Sequence, residues 1–172
     1  MTTFFTPTEV RTAVELLASH PLIRLVTEID DNGAIPPRRL ANTLPDLPRH
    51  QQRSATEAAR TYGLVRTTPG TGLELTEPGS ELADLYDAAA RWARRHAYPT
   101  PVCEFSSRIR HVLDLLAPSL VAQDAEGSSW LSVPRFSSAE SVADLGRVRA
   151  LLIQWLANNP QATRVPEPEP VA

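Results

Sequence analysis

The sequence predicts a mainly α-helical chain with one small β-hairpin, and three observations carry that prediction. Apolar residues recur at helical spacing through most of the 172 residues. Between Leu64 and Thr76 the period drops to two, with a β-branched run and an alternating run around Pro69-Gly70-Thr71-Gly72. Helical spacing then resumes and, apart from a loop-like stretch at Gln123 to Phe136, holds to about Asn158. With 42% hydrophobic and 22% charged residues, the chain has enough apolar side chains for one core.

The elements follow in order. Thr8 is placed to cap a first helix carrying Val10, Ala13, Val14 and Leu17. Pro21 opens a second, with Leu22, Ile23, Leu25, Val26 and Ile29 on one side, and Asp31-Asn32-Gly33 stops it. Pro36-Pro37 opens a short helix through Leu40 and Thr43, because proline is tolerated in a first turn. Pro45-Asp46-Leu47-Pro48 breaks the chain before a longer helix from about Arg49 to Tyr62, which Gly63 ends.

Beyond the hairpin and Gly79, Leu82, Leu85, Tyr86, Ala89, Trp92 and Ala93 form one apolar stripe. Phe105, Ile109, Val112, Leu113 and Leu116 form another within 104–120. Val142, Leu145, Val148, Leu152 and Trp155 form a third, from Ser138 to about Asn158. Gln123 to Phe136 is a loop-like stretch with apolar content. Pro160 to Ala172, with four prolines and Glu-Pro repeats, is expected to be disordered.

Helix, helix, short helix, longer helix, hairpin, helix is the plan of a winged helix-turn-helix, in which one helix enters the DNA major groove and the hairpin forms the wing. The expected organisation is a winged-helix DNA-binding domain over 8–97. A C-terminal helical extension for dimerisation or effector binding covers 98–159, and the tail covers 160–172.

Charge supports the same region. The formal net charge is −3, and all 17 basic residues are arginine, a bias of the kind GC-rich genomes impose. From Ala34 to Arg66, however, six arginines face two acids, a local net of +4 that leaves −7 for the rest. A basic patch on an acidic chain is an electrostatic footprint for nucleic acid. On a helical wheel of residues 49–62, Arg49, Arg53, Thr56 and Arg60 share one face. Leu47, Gln51, Ala55, Ala58 and Tyr62 lie opposite, with Gln52 and Ala59 at one flank. The expected major-groove set is therefore Arg49, His50, Arg53, Thr56 and Arg60, since a guanidinium reads guanine O6 and N7 with two donors. Arg38, Arg39 and Arg66 are expected on phosphates.

Other chemistries find little support. His20, His50, His96 and His111 are scattered, and the single Cys103 leaves no Cys-x-x-Cys pair, so no metal and no cofactor are expected. No enzyme constellation stands out: Gly127-x-Ser129 is followed by Leu131 where a nucleophile elbow needs glycine. The N-terminus lacks a signal-peptide pattern, and the greasiest run, Val112 to Ala122, is too short to span a bilayer. A cytoplasmic protein is expected. Cys103, near Arg94, Arg95 and His96 in sequence, is either a redox-sensing thiol or a buried inert one. Trp92, Trp130, Phe136 and Trp155, with Cys103, either line a pocket for a small apolar or aromatic effector or belong to the core.

The segment Leu44 to Val65, with its Leu-Pro start and Gly63-Leu64-Val65 ending, resembles the HxlR-type winged-helix transcriptional regulators, and more distantly the MarR type. Leu75-Thr76-x-x-Gly79-x-x-Leu82 followed by Trp92 is similar to that family's wing exit and next helix. The resemblance covers roughly residues 10–95. It implies a homodimer on pseudo-palindromic double-stranded DNA. Five departures stand out, the first being that the family's domain ends soon after Trp92 while this chain continues for roughly another eighty residues. Pro21-Leu22 replaces a tryptophan, and Gln51, Gln52 and Thr56 replace larger apolar residues. The hairpin turn is short and uncharged, and an N-terminal redox cysteine is missing. The expectation is a DNA-binding repressor; its rival is a winged-helix protein-interaction module.

Overall fold

The structure, a computed structural model, describes residues 5–36, 38–121 and 138–164. It is mainly helical with one two-stranded antiparallel hairpin. Helix α1 (Pro7–Leu17) is capped by Thr6 and not by Thr8. The Thr6 hydroxyl accepts from the Glu9 amide, and the Glu9 carboxylate accepts from the Thr6 amide at 2.7 Å. Pro7, whose fixed φ suits a first helical position, sets the earlier start. Helix α2 (His20–Asn32) closes at Gly33, where φ is +85°.

The next segment departs from the sequence expectation. Helix α3 is one turn, Leu40–Thr43, and does not begin at Pro36. Pro36 precedes another proline, which disfavours helical backbone, and Arg38 sits at φ +68°. Residue 37 itself lies outside the described residues. Helix α4 (Arg49–Thr61) ends before Gly63, at φ +70°. Strands β1 (Val65–Thr68) and β2 (Gly72–Leu75) pair with Val65 opposite Leu75 and Thr68 opposite Gly72.

A third extended segment adds to the hairpin. Ile35 exchanges two backbone hydrogen bonds of 2.9 Å with Leu73, so the α2–α3 connection lies along β2. Gly72 makes this possible, because a Cβ there would stand 2.1 Å from the Ile35 carbonyl oxygen. One residue flanked by Gly33-Ala34 and Pro36 has no period to betray a strand.

Helix α5 (Glu77–Arg95) starts two residues before Gly79. Its cap is Thr76, whose hydroxyl accepts from the Gly79 amide and donates to the Gly63 carbonyl. At Gly79 a Cβ would meet the Leu64 carbonyl oxygen at 2.0 Å. The Leu-Thr-x-x-Gly pattern thus has a local cause: threonine caps the helix and glycine admits the neighbouring backbone. Helix α6 (Phe105–Leu116) runs into a 3-10 turn, Ala117–Leu120, and α7 (Ala139–Asn158) starts at the Ser138 cap.

Helices α2, α6 and α7 all pack on α5. One continuous cluster of buried side chains runs from Phe5 to Ala162, across residue 97. Burying a large aliphatic side chain such as Leu22, Ile23 or Leu113 contributes about 1.5–3 kcal/mol. Tyr86 ties α5 to α1 through a 2.7 Å bond from its phenol to the Leu17 carbonyl, and burial raises its pKa. The chain from Pro160, expected to be disordered, begins with a 3-10 turn, Pro160–Ala162, in which Ala162 is fully buried. Residues 165–172 lie outside the described residues. No described helix is long and apolar enough to cross a membrane.

Candidate nucleic-acid interface

The surface of interest is built around α4. The core-facing side of this helix comprises Gln52, Ala55, Thr56 and Ala59. On the wheel this is a turn away from the expected apolar side, since Ala58 and Tyr62 are only half-buried. Two alanines let α4 lie close to α2, while the two polar residues satisfy backbone. The Gln52 amide nitrogen donates to the Leu44 carbonyl at 2.8 Å and to the Leu47 carbonyl at 2.9 Å. Those carbonyls belong to the turn that joins α3 to α4, so Gln52 locks that turn from beneath.

The turn has a second anchor. Arg24 on α2 grips Asp46 with two bonds, Nε to Oδ2 at 2.8 Å and Nη2 to Oδ1 at 2.9 Å. The guanidinium holds the Asp46 carboxyl below the usual carboxylate range. Paired with an arginine from outside Ala34–Arg66, Asp46 no longer dilutes the local positive charge.

Between α3 and α4 runs an open groove of about 530 Å³, lined by Arg38, Leu40, Ala41, Arg49, Gln52, Arg53, Thr56, Glu57 and Arg60. Four arginines foreseen from the sequence thus come together, among them Arg38, whose backbone is left-handed. The side chains of Arg38, Arg49 and Arg53 make no hydrogen bond or ion pair with another described residue. Arg60 leans toward the hairpin, donating to the Thr67 hydroxyl at 3.1 Å. Glu57, the one acid on the groove wall, suits a cytosine amino group.

Several expected contacts are placed differently. Thr56 is buried on the groove floor and its hydroxyl donates to the Gln52 carbonyl at 2.8 Å, so it does not project from the helix. His50 and Arg39 are exposed but outside the groove lining. Arg66 pairs with Glu74 across the hairpin at 2.6 Å, so its charge is locally offset. The Thr68 hydroxyl and then Arg66 hold the Glu74 carboxyl below its ordinary range.

The expected effector pocket does not assemble from its two described tryptophans. Trp92, near the end of α5, donates to the Ser141 carbonyl at the start of α7 at 3.0 Å. Trp155, near the end of α7, donates to the Pro78 carbonyl at the start of α5 at 3.0 Å. The two helices are antiparallel, and Trp92 lies fourteen helical positions from Pro78, about 20 Å at 1.5 Å per residue. Both indoles are buried braces at opposite ends of the pair. Trp130 and Phe136 lie outside the described residues. Cys103 is half-buried in the α5–α6 connection. Among the described residues, no group of three His, Cys, Asp or Glu side chains is gathered to hold a metal ion.

Comparison with known proteins found no matching family model, no matching curated protein and no matching solved structure.

Proposed function

We propose that the chain is a sequence-specific DNA-binding transcriptional regulator of winged helix-turn-helix type, a repressor similar to the HxlR-type regulators, with α4 as the recognition helix. The observation that carries this reading is the α3–α4 groove, where Arg38, Arg49 and Arg53 stand exposed without a partner among the described residues. An arginine with no internal partner keeps all its donors for a base edge or a phosphate. The locks by Gln52 and Arg24 support the reading, because a helix that reads bases needs a fixed pose. The Ile35–Leu73 bridge supports it too, tying the hairpin down beside α4 as a wing.

The chain would act as a homodimer, so that two copies of α4 meet two half-sites one helical turn apart. The side of α7 turned away from the core suits a second copy. Ala143, Ala150 and Ala157 are exposed there, and a Cβ added at Gly146 would meet nothing within 4 Å.

Selection of bound duplexes from a random-sequence pool tests the reading. Enrichment of a pseudo-palindromic site is the expected result. A pool that stays random after repeated rounds, with no duplex retained, would contradict it and favour the protein-interaction module.

A further inference from the structure

The C-terminal end of α4 is held by groups distant in sequence. Tyr62 and Gly63 follow the last helical residue, and helix ends leave carbonyls without internal partners. The Gly63 carbonyl accepts from the Thr76 hydroxyl, and the Leu64 carbonyl from the Thr76 amide. The Tyr62 carbonyl accepts from the side-chain amide of Gln161, ninety-nine residues away, at 3.2 Å. Gln161 sits in a well-fixed turn: Asn159, Ala162 and Thr163 around it are buried. The Asn159 side-chain amide donates to the Trp155 carbonyl at 2.7 Å, and Trp155 is itself pinned to Pro78.

We propose that residues 155–163 brace the C-terminal end of α4, and that Gln161 is a positioning residue for the arginine face. The proposal rests on the nucleic-acid reading for its consequence, but the brace itself does not. Both ends of α4 are then clamped: Gln52 and the Arg24–Asp46 pair hold the start, and Gln161 with Thr76 holds the finish. A helix held at one end can tilt, and the guanidiniums would sweep with it. The order of the chain fits this role. Residues 159–164, which follow α7, return to the DNA-facing helix, with Asn159, Ala162 and Thr163 buried.

Two substitutions in the full chain test it. Gln161→Leu keeps the size and loses the donor; Gln161→Lys keeps a donor. Amide hydrogen exchange is followed at Thr61 to Leu64, with the α2 core amides as the folding control. Removing one such bond should speed exchange there about two- to tenfold in Gln161→Leu, with α2 unchanged, while Gln161→Lys stays near the parent. Binding is read on the selected duplex and on an unselected duplex of equal length. Gln161→Leu should lose affinity for the selected duplex about two- to tenfold with an unchanged salt slope, because no phosphate contact has been removed. Unchanged exchange at Thr61 to Leu64 in Gln161→Leu overturns the brace. Faster exchange with unchanged affinity overturns the positioning role. A parent chain that binds neither duplex overturns the nucleic-acid reading, and the exchange result then still decides the brace.

Discussion

Two concavities on this molecule carry opposite charge and are built on different terms. The α3–α4 groove is lined by Arg38, Arg49, Arg53 and Arg60 against one acid, Glu57. The cleft between α2 and α5, of about 260 Å³, is lined by Asp30, Asp31, Asp84 and Asp87 with Phe105. In the acidic cleft, burial and then the neighbouring Asp31, Asp84 and Asp87 push the Asp30 carboxyl up. Asp87 there is paired with Arg91. In the basic groove, three of the four guanidiniums have no hydrogen-bond or ion-pair partner among the described residues. The contrast shows why the whole-chain charge of −3 misleads: two local fields of opposite sign nearly cancel in the sum. A polyanion would be drawn to one face and turned from the other, which orients an encounter before any contact forms.

The largest expected effect concerns the floor of the basic groove. Gln52→Leu leaves the Leu44 and Leu47 carbonyls without their donor and should cost about 2–3 kcal/mol in urea unfolding. A loss below about 0.5 kcal/mol, half the net worth of one ordinary hydrogen bond, would show that the lock contributes little. Arg53→Ala should leave folding untouched but cost about 1–3 kcal/mol in binding to the selected duplex and relax one base position. Equal losses on selected and unselected duplex would remove Arg53 from base reading. Arg38→Ala should weaken all duplexes alike and reduce the salt slope by about one unit.

The smallest effect compares the two regions through pH. Asp46 titrates below its ordinary range, so its pair with Arg24 adds stability above the usual carboxylate pKa, and this is lost as pH falls through the lowered value. Asp30 titrates above its ordinary range, so its charged form opposes folding, and acid relieves that. Asp46→Asn should therefore lower stability at pH 7 by at most about 1 kcal/mol and flatten the loss in acid. Asp30→Asn should do the reverse, raising stability at pH 7 by a few tenths of a kcal/mol and steepening the acid loss. Parallel pH profiles for the two variants would show that the cleft and the groove anchor do not differ electrostatically.

Local signals carried much of the helical layout. Gly33 and Gly63 close α2 and α4 as their positions suggested, and the hairpin turn lies where the period changed. What stayed hidden depends on partners elsewhere in the chain. A wheel ranks residues by polarity, so it placed Gln52 and Thr56 by composition. Their burial follows from backbone groups they satisfy, which a wheel does not contain. The pairing of Ile35 with Leu73 and the burial of Ala162 were invisible for the same reason. Of the site, the basic stretch and the residues Arg49, Arg53 and Arg60 were legible. Arg38 was foreseen as well, but its left-handed backbone and the loss of Arg66 to Glu74 were not.

The central claim is that Arg49 and Arg53 of α4, which have no partner among the described residues, bind duplex DNA. Its most direct test is fluorescence-anisotropy titration of the selected duplex with the parent chain and with Arg49→Ala/Arg53→Ala across a salt series. The account predicts parent affinity that falls steeply with salt, and a large loss of affinity for the selected duplex in the double variant at every salt concentration. Equal affinity and equal slope for the two proteins would contradict it.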